Sequence, residues 1–241
     1  MGNSIAKDFK NVKLGCGSLS PGLEKALIAP GSVVLDSPTT VIVRHDHSRG
    51  SLIVFDLNTM MPLLVTKKKR KKQSVTKDAQ GRALYLSVSP NSNQRLIYKV
   101  PKSFASNTDY EQDFEESCPG LMDASLSSFT SASTASSASS LSKNKNDLVC
   151  SGQIDIDKTG ASTCASLSVV VWKGNGPELL QIYRAVQVPS VKYGSLIVDH
   201  QGNVVGKSMM DPDRLEPILH IAKGADISSV VALATSTMGD F

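Results

Sequence analysis

The chain has 241 residues, 40% of them apolar and 5% aromatic, with 26 Lys and Arg against 22 Asp and Glu for a net charge of +4. Removing the six consecutive cations at 67–72 leaves 20 basic against 22 acidic residues, so the basicity is one local patch. That argues against a general nucleic-acid binder, which spreads cations along a face or groove, and no nucleic-acid partner is expected.

The chain opens "MGNSIAKDFK", where Gly2 is the acceptor that N-myristoylation requires once Met1 is removed. Ala6 stands where the usual pattern has Ser or Thr, while Asn3, Ser4 and Lys7 fit it. One myristoyl chain binds membranes with an association constant of only about 10⁴ M⁻¹, so lasting attachment needs a second signal. Two candidates are a palmitoyl group on Cys16 and the cation run Lys67, Lys68, Lys69, Arg70, Lys71 and Lys72. No secretory signal is expected, because the first residues lack an apolar core. Cys16, Cys118, Cys150 and Cys164 are too scattered for a zinc pair or a disulfide framework, so a cytoplasmic, reducing setting is expected. Residues 1–31 are assigned to an N-terminal segment, with a short helix expected after Ser20, where Pro21 suits a first helical position.

From Ser32 short β runs alternate with turn signals: "SVVLD", "TVIVRH", "SLIVFD", "PLLVT", "SVTKD", "ALYLSV" and "QRLIYKV". After an interruption the habit resumes with "CSGQIDI", "ASLSVVVW", "ELLQIYRAVQV", "GSLIVD", "NVVGKS" and "EPILHIA". Strands at this spacing mean a sandwich or barrel. Two hairpins carry Asp-x-x-Gly, at Asp78–Gly81 and Asp199–Gly202, and a third has the same shape around Asp56 without a glycine. Asp accepts a backbone hydrogen bond at the start of such a turn and Gly supplies the positive φ at its end.

Residues 103–147 interrupt the pattern; between Ser125 and Ser142, ten of eighteen residues are Ser. That composition buries too little apolar area to offset chain ordering, and a disordered insertion is expected. The closing stretch differs again. Asp226 after Gly224 caps a helix from Ile227 to about Met238 that is apolar or small all round. Such a helix must be surrounded by protein, which one sheet face cannot do and a closed barrel can. Too short to span a bilayer, it is expected to fill the barrel and leave only the exterior for contacts.

No catalytic constellation is visible, and neither an enzyme nor a cofactor is expected. "DIDKTG" at 155–160 imitates a calcium loop, but its twelfth position is Ser166 and a hydrated hairpin turn is the simpler reading. His45 and His47 lie two apart without a third ligand nearby, so no metal site is assigned. "KGNGPE" at 173–178 has the wrong glycine spacing for a phosphate loop.

The runs "GSLIVFDLNTMMPLLV", "SVTKDAQGRALYLSV" and above all "GSLIVDHQGNVVGKS … LEPILHIAKGADISSVVALATSTMGDF" resemble the LURP-one-related family, within the tubby C-terminal-like group that includes the phospholipid scramblases. The resemblance covers about 33–100 and 150–241, and its A-x-G-x-D step falls on Ala222-Lys223-Gly224-Ala225-Asp226. It implies a closed antiparallel β-barrel of twelve strands around a central hydrophobic C-terminal helix, here spanning 32–241. It also implies binding of phosphoinositides through Lys and Arg on the barrel surface, for which Lys67–Lys72 is the candidate. The proline- and cysteine-rich N-terminal region of scramblases is missing. The function expected is therefore a non-enzymatic, membrane-peripheral lipid-binding or scaffold barrel on the cytoplasmic leaflet, with anionic lipids and unidentified proteins as partners. The alternatives are a regulatory protein using the cation run as a nuclear signal, and a scramblase-like lipid transporter.

Overall fold

Inward-facing apolar residues at every second position from Thr39 onward close a sheet on itself. The computed structural model describes residues 8–17, 36–46, 48–70, 72–100, 150–158, 162–173 and 176–238. Gly2, His47, Lys71, Cys118, the expected helix after Ser20 and the serine-rich insertion lie outside them, as does all of "SVVLD" except Asp36.

The other twelve apolar runs each form a strand: β1 (Thr39–Asp46), β2 (Ser51–Asp56), β3 (Pro62–Arg70), β4 (Gln73–Asp78), β5 (Ala83–Asn91), β6 (Gln94–Lys99), β7 (Cys150–Asp157), β8 (Cys164–Lys173), β9 (Gly176–Gln187), β10 (Ser195–Asp199), β11 (Val204–Met210) and β12 (Pro217–Ile221). Each pairs antiparallel with its sequence neighbours, and β1 pairs with β12, Val41 opposite Leu219, to close the barrel. Closure removes the exposed edges that an open antiparallel sheet would present. A smaller apolar cluster, including Leu86, Leu96 and Tyr98, lies on the opposite, outer face of β4–β7.

The hairpin prediction holds in detail. Asp78 and Asp199 each accept backbone N–H groups two and four residues on, at 2.9 Å, and Gly81 and Gly202 take φ of +79° and +85°. Around Asp56 the loop is one residue longer, with the Met60 N–H donating to the Asp56 carbonyl, and Met60 itself takes the positive φ of +57°. The missing glycine is thus replaced by a strained methionine, not by another turn shape.

Helix α1 (Ile227–Thr237) enters the lumen after the turn at Gly224, whose φ is +78°. Asp226 is fully buried at its N-cap and accepts from the backbone N–H groups of Ser228 and Ser229 at 3.1 and 3.3 Å, and from both their hydroxyls. Every residue of the helix except Thr235 is buried. It packs against β7–β12, where Leu167, Tyr183, Ile197 and Leu219 turn inward. Each fully buried Val or Leu there contributes about 1.5–3 kcal/mol by leaving water, which holds the helix to that wall.

Outside the barrel, residues 8–17 lie along β11. The Lys207 ammonium donates to the carbonyls of Lys10 and Val12 at 3.1 and 3.2 Å and stands over the buried Phe9 ring. Further on, the Gly17 N–H donates to the Lys223 carbonyl at 2.8 Å.

Candidate functional site

Because the strands run alternately up and down, their turns sort onto two ends. The helix enters at one end, beside β12 and the β10–β11 turn. The opposite end carries the β1–β2, β3–β4 and β5–β6 turns, and the last turn of α1 points toward it. The cation run lies at this second end.

Most of the run is strand. Lys67 to Arg70 belong to β3, with Lys67 opposite Val75, Lys68 opposite Ser74 and Arg70 opposite Gln73, and Lys72 lies in the turn before β4. The two-residue period of a strand therefore splits the run. Lys67, Lys68 and Lys69 are all exposed: Lys67 stands on the outer face opposite Val75, Lys69 sits at the bulge between Lys68 and Arg70, and Lys68 follows Leu64 and Thr66 on the face that lines the lumen. Lys72, exposed in the turn, donates to the Pro90 carbonyl at 3.0 Å.

Inside that end lies a cavity of about 530 Å³, bounded by the inner faces of β1–β7, by Lys158 and Thr163 between β7 and β8, and by Val231, Ala232, Thr235 and Ser236 of α1. The expectation that the helix fills the barrel is thus corrected: it fills the half against β7–β12 and leaves a chamber against β3–β6. The reason is side-chain chemistry. The strands facing the chamber carry hydroxyls, paired as Thr66 with Thr76 at 2.9 Å and Ser74 with Ser87 at 2.7 Å, which gain nothing from sealing against an apolar helix. The helix side matches them, with Thr235 and Ser236 hydroxyls donating back to the Ala232 carbonyl at 3.1 and 2.7 Å.

Lys68, Lys72, Arg95 and Lys158 line the chamber together with His45, and among the described residues no Asp or Glu does. Among the described residues, neither Arg95 nor Lys68 nor Lys158 forms a salt bridge. Arg95, on β6, stands deepest. Burial pulls its guanidinium below the ordinary arginine value, opposed by the Tyr85 phenol beside it. The Tyr85 hydroxyl is pushed up mainly by burial, with a Thr76 hydrogen bond and Arg95 acting against that shift. A charge withdrawn from water without a counter-charge costs several kcal/mol even after relaxation. The C-terminal end of α1 offers only about half an elementary negative charge. Of the four cations only Arg95 is largely withdrawn from water; Lys68, Lys72 and Lys158 are exposed at the open end.

The sequence-derived candidates separate in space. Cys16 is exposed, next to Gly17 at the helix-entry end, and so is remote from Lys67–Lys72 at the other. His45 faces the chamber and not a metal cluster; among the described residues no group of three or more His, Cys, Asp or Glu is placed to hold a metal. Sequence reasoning missed Arg95, Tyr85, Lys158 and the hydroxyl ladder. The available signal was the two-residue period of Thr66 and Lys68, Ser74 and Thr76, Ser87 and Ser89, which puts polar groups where a solid barrel needs apolar ones.

No family model matches the chain, and no curated protein matches it. Among solved structures it is similar to a protein from Arabidopsis thaliana, at 11% identity and a TM-score of 0.46, over 84% of this chain and 94% of that one. It also aligns with a protein of unknown function from Bacteroides fragilis at 9% identity and a TM-score of 0.19, over 76% and 92% of the two chains. Both likenesses are too loose to argue from, and the barrel rests on its own strand pairing. Among the described residues no helix is long and apolar enough to cross a membrane.

Proposed function

We propose that this chain is a non-enzymatic β-barrel that docks on an anionic membrane surface. Lys67 and Lys69 carry the headgroup contact and a fatty chain on Gly2 reinforces it. The observation that carries this reading is the exposed end of β3, with Lys67 on the outer face and Lys69 at the adjoining bulge, beside the exposed Lys72. Each cation near an anionic leaflet contributes on the order of 1 kcal/mol, so these cations and one acyl chain together suffice for stable attachment.

The six residues from Gly2 to Lys7 reach about 20 Å when extended. Asp8 begins the segment that lies along β11, whereas Cys16 faces the other end of the barrel. Gly2 therefore suits a membrane contact at the basic end better than Cys16 does. A nuclear address is less well served by this arrangement, since four of the six cations are tied into a strand and Lys68 faces inward.

Sedimentation with phosphatidylserine-containing vesicles tests the proposal. The chain produced in eukaryotic cells is expected to bind, to lose most binding when Lys67 and Lys69 become Gln, and to lose more with Gly2→Ala. Binding unchanged by all three substitutions would overturn it.

A further inference from the structure

The membrane-docking reading uses the exposed end of β3 and leaves the chamber without a role. We infer that the basic end of the lumen is a binding site for a small organic phosphate ester, its phosphate held by Arg95 and Lys68 and its organic part lying between the hydroxyl ladder and an apolar floor. The inference stands on the interior of the barrel and does not depend on how the exterior meets a membrane.

The size fits: ligand sites occupy about 300–1,000 Å³, and this chamber is 530 Å³. Inorganic phosphate alone would leave most of it unfilled. The charge also discriminates. Among the described residues four cations and no carboxylate line the chamber, which rules against a cationic or metal ligand. A phosphate ester brings about 1.5–2 negative charges near neutral pH, where a monocarboxylate brings one, so it offsets the chamber's cations better.

Arg95 presents a planar fork of donors that matches two phosphate oxygens at once, and among the described residues no carboxylate occupies the fork. Lys68, three strands away on β3, adds a point charge at the same end of the lumen. In each hydroxyl pair, Thr66 with Thr76 and Ser74 with Ser87, one hydroxyl donates to the other. In the Ser74–Ser87 pair the second hydroxyl keeps its O–H to offer, alongside spare acceptor lone pairs, whereas Thr76 is also bonded to the Tyr85 hydroxyl. That is the lining a hydroxylated organic moiety requires. Leu52, Ile97, Ile156 and Val231 supply the apolar floor against its carbon atoms. Lys72 and Lys158, both exposed, stand where an anion would enter.

The ester has two sources, free in solution or as the headgroup of a phospholipid presented at the mouth. Titration of the full chain separates them, with glycerol 3-phosphate as the soluble probe and vesicles of phosphatidylcholine with phosphatidic acid as the lipid probe. Saturable binding of glycerol 3-phosphate is expected, with amide NMR shifts confined to the inner residues of β3–β6 and to Thr235 and Ser236. Arg95→Met should weaken it by about tenfold or more and Arg95→Lys by less, because lysine keeps the charge and loses the fork. Lys67→Gln with Lys69→Gln should leave it unchanged. Binding of vesicles but not of glycerol 3-phosphate, lost with Arg95→Met, assigns the phosphate to a lipid headgroup and supports the site. Vesicle binding indifferent to Arg95 overturns the lumen site while leaving exterior docking standing. So does an absence of saturable binding by both probes. The shift map of the unmodified chain decides the matter should Arg95→Met not fold: shifts confined to Lys67, Lys69 and their outer neighbours overturn the inference.

Discussion

Lys68 stands directly across the β3–β4 ladder from Ser74, and that pairing turns its side chain inward while Lys67 faces outward and Lys69 sits at the adjoining bulge. One strand thus serves two surfaces with opposite demands. Neutralising the outer pair as Lys67→Gln with Lys69→Gln should cost about 2 kcal/mol of affinity for anionic vesicles, since each cation contributes on the order of 1 kcal/mol there. Lys68→Gln alone should cost much less, because its charge faces the lumen. Vesicle affinities at low and at high salt check this, the outer pair losing its advantage as exposed charges are screened. Equal losses for all three lysines would mean the pleat does not sort them.

Asp226 anchors the helix inside the barrel. Burial raises its carboxyl pKa, while hydrogen bonds from Ser229 and Ser228 pull the other way. Asp226→Ala leaves two backbone N–H groups and two hydroxyls without their acceptor in a site with no exposure. Orphaned buried donors cost about 1–3 kcal/mol each, so a loss of about 3 kcal/mol or more in unfolding free energy is expected. Asp226→Asn keeps one acceptor oxygen and avoids burying a charge, and should lose less than half as much. Urea titrations of the two variants decide it, and a loss for Asp226→Ala below about 1 kcal/mol would deny the carboxylate its anchoring role.

Gly224 is held by the N-terminal segment as well as by its own backbone. A β-carbon there would stand 2.2 Å from the Gly17 carbonyl oxygen, at a φ of +78°. Gly224→Ala has to displace residues 15–17 or the turn itself, and it adds the left-handed strain of about 1–2 kcal/mol. A loss of about 2 kcal/mol or more is expected, together with faster proteolytic cleavage near Cys16 as the segment lifts. Stability within about 0.5 kcal/mol of the parent would show that the close approach does not matter.

The barrel was legible because its determinants are local. Alternation named all twelve strands, Asp with Gly named two hairpins, and a helix apolar on every side demanded enclosure. The chamber was not legible, because the inner face of a strand is fixed by pairing with distant residues. Ser87 and Ser89 read as ordinary outward polar positions until Ser87 is seen opposite Ser74 and Ile97, on the lumen side. Arg95 gives no signal in isolation; its neighbours in sequence are a polar residue and the apolar run of β6. The cation run was visible as charge but not as two faces of one strand, since its continuation of β3 depends on the partner strand β4.

His220 gives a pH dependence whose sign follows from its surroundings. It sits on the outer face of β12, its Nδ1 2.9 Å from the Thr40 hydroxyl. Burial lowers its pKa most, Lys207 lowers it further, and Asp211 opposes both. The folded chain therefore holds this proton less tightly than the unfolded chain, whose imidazole titrates near 6.5. As pH falls through about 6.5 the unfolded state takes up the proton first, so stability declines toward acid and is fully present above that value. His220→Gln keeps a partner for Thr40 and removes the titration, and should flatten the fall in urea midpoint between about pH 7 and 5. Lys207→Met should also flatten it in part, by removing the second cause of the shift. A midpoint that falls equally steeply in parent and His220→Gln chains would place the acid sensitivity in another group.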